Sequence, residues 1–453
     1  MDYFNDIIVG ISTPYAKGAI SIIRLSGAGS ISLVNSLFKG KNLNSVKTHT
    51  IHYGHIIDNL SKEPIDEVLV SVFKAPKTYT KEDVVEINCH GGIFVTNLIY
   101  ENLVTLGARP AEPGEFTKRA FLNGRIDLTK AEAVMDVIEA ENKTAVKFAN
   151  KGINGDIQNL VQFYRDQLLD IIATISVNID YPEYDDVEEL TNDKIYPSIV
   201  ELNNKMKVLL KESIGAKYLK DGINTVIIGK PNVGKSTLLN ALLKEDKAIV
   251  TNIPGTTRDV IEGKVNLGNI TLNLIDTAGI RKTDDLVEKI GVNRSKEMLE
   301  KADFLLFMLD STTALTADEK ILLDKIKEKP HLIIVNKMDV FSENRLVIED
   351  AVYISAQNSV DIKKLESEII NRVLKEVNIS DGSTYLSNAR QVSKLQNAIN
   401  SLDESIIAIK NNAFIDFVDI YLKEAYNYLG EITGDTATDS LLNELFSKFC
   451  LGK

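Results

Sequence analysis

The sequence predicts a multidomain protein: an N-terminal α+β domain, then a helical bundle into which an α/β domain is inserted. Three patterns predict it. Residues 1 to about 118 alternate strand-like runs with short helical ones. Apolar residues then recur at helical spacing from about 119 to 218 and again after 378, while residues 219–377 between them carry buried-strand runs followed by loops and helices. A length of 453 residues suits about three domains.

In chain order, the runs 19–25 and 67–73 read as the better N-terminal strands, rich in Ile, Leu and Val with polar interruptions. The first helical stretch shows Ile157, Leu160, Val161, Tyr164, Leu168, Ile171, Ile175 and Ile179 at steps of three and four. The same spacing returns in Val392, Leu395, Ile399, Leu402 and Ile406, and in Phe417, Val418, Tyr421, Leu422, Ala425 and Leu429. Expected boundaries are 1–118, 119–218, 219–377 and 378–453, with both helical segments in one bundle. The acidic run 181–186 reads as a solvated connection.

Within the inserted domain, the strand run 225–228 leads into Gly229-Lys230-Pro231-Asn232-Val233-Gly234-Lys235-Ser236-Thr237 and then the helical run 237–243. Strand, glycine loop and helix together point to a phosphate-binding loop, because inward backbone N–H groups and a helix N-terminus attract phosphate oxygens. Lys235 is placed to reach the β- and γ-phosphates. The base is chosen by Asn336-Lys337-Met338-Asp339 after the strand run 332–335. A carboxylate at Asp339 can accept both N1–H and the 2-amino group of guanine, and adenine offers neither. Alone, Asn-x-x-Asp is a common turn; behind a phosphate loop it predicts a GTP site, closed by Ser355 and Ala356.

Two switch segments are expected between these motifs: Thr251, Asn252, Ile253, Pro254, Gly255, Thr256 and Thr257, then Asp276, Thr277, Ala278 and Gly279. Mg²⁺ keeps few protein ligands, so Ser236 and Thr257 are assigned to it directly and Asp276 through water. Ile280 stands where many GTPases place a water-orienting glutamine. The carboxylate Glu288, twelve residues past Asp276, is the candidate catalytic group, although its surroundings also read as an exposed helix.

Three further segments make the chain resemble the MnmE (TrmE) family of tRNA-modification GTPases. They are residues 80–86 with His90-Gly91-Gly92, the run 113–124, and the last four residues Cys450-Leu451-Gly452-Lys453. The resemblance runs from end to end. It implies a Ras-like G domain activated by K⁺ and by G-domain dimerisation, with Asn232, Thr251, Ile253 and Thr256 around the cation and Glu288 orienting water. It also implies an N-terminal domain folded like the tetrahydrofolate-binding domain of glycine-cleavage T proteins, holding 5-formyltetrahydrofolate at a homodimer interface. Arg24, Glu86, Arg125 and Lys453 match the folate positions; lysine can stand at the position of Arg125, so only its charge carries over. The implied partner is an FAD-dependent protein, MnmG or GidA, in a heterotetramer acting on C5 of the tRNA wobble uridine. Cys450 is a candidate either for chemistry or for tail packing.

A net charge of −12, from 52 basic and 64 acidic residues, argues against a broad RNA-gripping surface, so tRNA contacts must be local or shared with a partner. Two cysteines form neither a disulfide framework nor a metal site. No run of 18 apolar residues and no signal-peptide pattern is present, and the expected location is the cytoplasm, without membrane contact. Two other functions compete: a ribosome-assembly GTPase, which usually carries a basic RNA-binding domain, and a pure regulatory switch, which needs an outside activator.

Overall fold

The computed structural model describes residues 6–180, 192–244, 248–249, 261–268, 270–275, 302–327, 329–343, 345–377, 384–449 and 452. They form two compact units: residues 1–135 with 430–453, and residues 136–429.

The first unit is built on a seven-stranded sheet of β1 (Ile8–Ile11), β2 (Ile20–Ser26), β3 (Phe38–Gly40), β4 (Thr50–Ile57), β5 (Pro64–Phe73), β6 (Val84–His90) and β7 (Arg109–Pro110). Its order is β3-β4-β5-β6-β2-β1-β7, and every pairing is antiparallel except β1 with β7. Alternation along β5 turns Val68, Val70 and Val72 into the core. There they join Ile23, Leu25 and Ile87 beneath α1 (Ser30–Leu37) and α2 (Ile93–Thr105), which supply Val34, Leu37, Ile99 and Leu103. The opposite face is open, with Ile20, Ile51, Tyr53 and Leu69 between 48% and 66% exposed. Helices α3 (Glu115–Leu122) and α4 (Leu128–Glu139) follow, and Leu128, Ala131 and Met135 pack with Leu442, Phe446 and Phe449 from the other end of the chain. Arg119 on α3 is fully buried, and Asp6, Glu82 and Glu115 accept from its guanidinium. A buried cation is tolerable only with such pairing.

The second unit begins with α5 (Lys143–Asn154), α6 (Asp156–Asp180) and α7 (Asn192–Asp221). Its sheet comprises β8 (Ile223–Ile228), β9 (Ala248–Ile249), β10 (Ile261–Leu267), β11 (Ile270–Ile275), β12 (Phe304–Asp310), β13 (His331–Asn336) and β14 (Ala351–Tyr353). Helices α8 (Lys235–Lys244) and α9 (Ala317–Ile326) connect these strands, α10 (Ser359–Val377), α11 (Ala389–Lys410) and α12 (Ile415–Thr433) follow the last of them, and α13 (Asp439–Ser447) belongs to the first unit. Strand order is β14-β13-β12-β8-β11-β10-β9, parallel from β14 through β11 and antiparallel beyond. Both faces are covered, so β12 is apolar from Phe304 to Leu309: Leu306 and Met308 enter one core, Leu305, Phe307 and Leu309 the other. Helix α11 packs along α7, where Asp403 accepts from both Asn203 and Lys207.

A joint links the helices to the sheet within this unit. Asn142 caps α5 by accepting from the Ala145 N–H, and its amide donates to Leu219 O and Thr271 Oγ1. Lys264 Nζ pairs with Glu141, and Asn266 Nδ2 donates to Glu141 O at 3.0 Å. Two of these partners lie on β10, which follows the segment 250–260, and one on β11, which precedes the segment 276–301.

Candidate functional site

Strand β8 lies between β11 and β12, so the chain leaves it toward one side of the sheet and later returns on the other. That reversal opens a crevice at the strand's C-terminal end, where open α/β sheets bind ligands. Residues 229–234 fill the turn, and α8 starts at Lys235. Asn232 is exposed and left-handed, with φ 65°. Ser236 and Thr237 are exposed on the first turn of α8, while Val233 is buried beneath the loop. The Lys235 ammonium donates to the carbonyls of Gly229 and Lys230, curling over the loop that it ends. Burial pushes its pKa down, so the charge is desolvated and interacts strongly with anything anionic placed there.

Asn336, at the end of β13, holds three loops together. Its Nδ2 donates to Val233 O at 2.8 Å, and its Oδ1 accepts from the Ala356 N–H at 2.9 Å. Gly234 gives it room: a Cβ there would lie 2.2 Å from Asn336 Nδ2, and φ of +104° already favours glycine. The next residue, Lys337, is also left-handed, and its ammonium pairs with Asp310 at 2.6 Å. Burial acts to raise the Asp310 pKa, but the bonds from Lys337 and Thr312 prevail and hold it below the usual carboxylate range. Asp339 is exposed beyond them, Ser355 is buried, and the Ser355 N–H donates to Asp361 on α10. The phosphate-loop residues and the predicted base-reading residues thus share one crevice.

One contact here escaped the motif reading. Lys230 reaches from the phosphate loop to Glu319 at 2.7 Å, and Glu319, 4% exposed, also closes the capping box of α9 with Thr316. The pattern Thr316-x-x-Glu319 was a signal for the cap but not for the ion pair. The predicted residues Thr251, Asn252, Ile253, Pro254, Gly255, Thr256, Thr257, Asp276, Thr277, Ala278, Gly279 and Glu288 lie outside the described residues, as do Cys450 and Lys453.

A second region belongs to the N-terminal unit. Arg24 on β2 and Glu86 on β6 are register partners and form an ion pair at 2.8 Å. Both line a cleft of about 660 Å³ whose rim carries Lys77, Lys81 and Arg125. The Arg24 guanidinium stands over the Phe116 ring at 5.7 Å, and that of Arg125 over Tyr79 at 5.0 Å. Burial raises the Tyr79 pKa, so its hydroxyl stays protonated, within 3.0 Å of Thr117 Oγ1. Gly452 also belongs here, because its carbonyl accepts from Arg24 Nη1 and from Ser12 Oγ, each at 3.0 Å. Of the four predicted folate residues, three therefore line one cleft, and the residue before the fourth is hydrogen-bonded to Arg24.

The doubly covered parallel sheet, with a phosphate loop after β8 and a guanine-type motif after β13, defines a P-loop guanine-nucleotide-binding protein. The family model described as "MnmE helical domain" matches residues 128–450, and "GTP-binding protein TrmE N-terminus" matches residues 7–125. The tRNA modification GTPase MnmE of Streptococcus pneumoniae is 49% identical over 451 residues, covering 99% of both chains. That of Streptococcus thermophilus is 50% identical over 451 residues, covering 99% of this chain and 98% of its own. The chain belongs to the MnmE family of GTPases. Among the described residues, no helix is long and apolar enough to cross a membrane.

Proposed function

We propose that this protein hydrolyses GTP to drive a complex that modifies the wobble uridine of tRNA at C5. The observation that carries the reading is the end-to-end likeness to relatives named tRNA modification GTPase, at 49% identity over 99% of both chains. In this reading Asp339 reads guanine, Lys235 neutralises phosphate charge, and Asn336 holds the two loops in register. Ser236 and Thr257 hold Mg²⁺, with Asp276 acting through water, and Gly279 senses the γ-phosphate. The exposed, left-handed Asn232 supports a K⁺ site completed by Thr251, Ile253 and Thr256. A cation there supplies the charge that an arginine finger supplies elsewhere. Glu288 orients the attacking water.

The N-terminal cleft would hold 5-formyltetrahydrofolate through Arg24, Glu86, Arg125 and Lys453, and folate supplies the one-carbon unit. The Arg24–Glu86 pair and the Phe73 and Tyr79 rings that line the cleft fit a flat, hydrogen-bonding ring. The open sheet face with Ile20, Ile51, Tyr53 and Leu69 supports a homodimer, because a second copy would cover it. An FAD-dependent partner, MnmG, would supply the redox chemistry in a heterotetramer in the cytoplasm. Domains would follow the boundaries 1–118, 119–218, 219–377 and 378–453.

Nucleoside mass spectrometry of tRNA from cells lacking the gene tests this reading. Aminomethyl-type wobble uridines should vanish and return with the wild type, not with Glu288→Ala. An unchanged nucleoside profile would sink the tRNA assignment and leave a GTPase with another task.

A further inference from the structure

We infer that the N-terminal cleft selects folates carrying more than one γ-linked glutamate, and that Lys77 on its rim is a specificity residue for that tail. The inference rests on the folate reading above and deepens it.

Charge along the cleft is uneven. At the inner end Arg24 and Glu86 neutralise each other, with side chains 21% and 23% exposed. A ligand head placed there meets hydrogen-bonding groups and aromatic rings but no net charge. At the rim stand three cations, Lys77, Lys81 and Arg125, all exposed. Lys81 Nζ donates to the carbonyls of Asn123 and Gly124, and Arg125 Nη1 to the carbonyl of Tyr79. Carbonyls fix the positions of those two cations without cancelling their charge. Among the described residues, no carboxylate pairs with Lys77, Lys81 or Arg125. Lys81 is held in the left-handed region, φ 61°, and so is His49, φ 60°, on the same cleft. Non-glycine residues in that region persist where the surroundings enforce them, often at ligand sites.

The arithmetic follows from the ligand's chemistry. A folate with one glutamate brings two carboxylates to a rim of three cations. A second γ-linked glutamate consumes one carboxylate in its amide bond and adds two, giving three in all. Each exposed pair contributes modestly, up to about 1 kcal/mol, or about fivefold in affinity. Such a contribution is also screened by salt.

Isothermal titration of the full-length chain with 5-formyltetrahydrofolate as the mono- and the triglutamate tests this. The triglutamate should bind about fivefold tighter at low salt, with the gap closing near 0.5 M salt. Lys77→Ala should narrow the gap by weakening the triglutamate more than the monoglutamate, and an unchanged thermal unfolding transition would report that the variant is folded. Equal affinity for the two ligands would overturn the inference and leave the folate reading standing. A gap untouched by Lys77→Ala would overturn the role of Lys77. Binding of neither ligand would overturn the folate reading and this inference with it.

Discussion

In the nucleotide region, Lys235 and Asn336 sit at the same edge of the sheet because β8 and β13 are parallel strands and end together. In the N-terminal cleft, Arg24 and Glu86 meet because β2 and β6 run antiparallel and bring them into register, while Gly452 arrives from the other end of the chain. A parallel sheet gathers loops that each carry a local motif, so its site can be read from short strings. An antiparallel sheet gathers single residues whose neighbours in sequence face elsewhere. The first arrangement advertises its chemistry; the second hides it in the register.

That contrast is testable, since damage to one region should leave the other's ligand untouched. The largest effect is expected for Glu288→Ala: GTP binding retained, single-turnover hydrolysis slower by about 10²- to 10³-fold, and folate affinity unchanged. A wild-type rate would return Glu288 to the exposed-helix reading. Replacing K⁺ by Na⁺ at equal ionic strength should slow hydrolysis by about 10²-fold without altering folate binding; equal rates in both salts would remove the cation site. Asn336→Ala leaves the buried Val233 carbonyl and Ala356 N–H without their partner. At about 1–3 kcal/mol for an unsatisfied buried group, nucleotide affinity should fall about 10- to 100-fold, and fluorescent GTP analogues would measure it. Arg24→Ala is the mirror experiment. It strips the partner of Glu86 and one donor to Gly452, so folate affinity should drop about tenfold with GTP affinity intact. A change in both affinities would break the comparison.

The smallest effect is one of pH, and its sign differs between the two units. In the N-terminal unit burial acts to raise the pKa values of Asp6 and Glu115, but bonds from Arg109 and Arg119 prevail and hold both below their usual values. Folded pKa values below the unfolded ones mean stability that is present above about pH 4.5 and is lost as pH falls through the folded values. In the second unit burial lifts Asp136 and Asp221 above the usual carboxylate range against the pull of Lys220. Raised carboxylates bind protons more tightly when folded, so they add stability as pH falls from neutral toward the unfolded values. Hydrogen exchange followed from pH 7 to 4 should therefore show protection weakening around α3 before it weakens where α7 joins β8. Loss in the opposite order would contradict these assignments.

Much of the second unit was legible in advance. The strand runs 225–228, 332–335 and 271–275 fall within β8, β13 and β11, and the helical spacing at 157–179 falls within α6. Periodicity reports these because burial on one or both faces leaves its mark on every second or every third and fourth residue. Contacts that depend on a side chain's reach were not legible. Lys230 sits in a loop, and nothing nearby signals that Glu319 will be its partner. Asn336 belongs to a motif associated with the base, yet its amide is used on Val233 and Ala356. Arg119 reads as a charged helix residue; its complete burial follows from three carboxylates, two of them distant in sequence.

Spacing and residue type settled the fold class, the phosphate loop and the guanine motif, because each is a local pattern whose physics acts over a few residues, while the family was legible as a resemblance carried by three short segments. Tertiary structure decided which distant groups touch: Gly452 on Arg24, Asn336 across Gly234, and three rim cations around one cleft. Those contacts span up to 428 residues of chain. They exist only after strand register and helix packing have closed the intervening loops, and no short window of sequence carries that information.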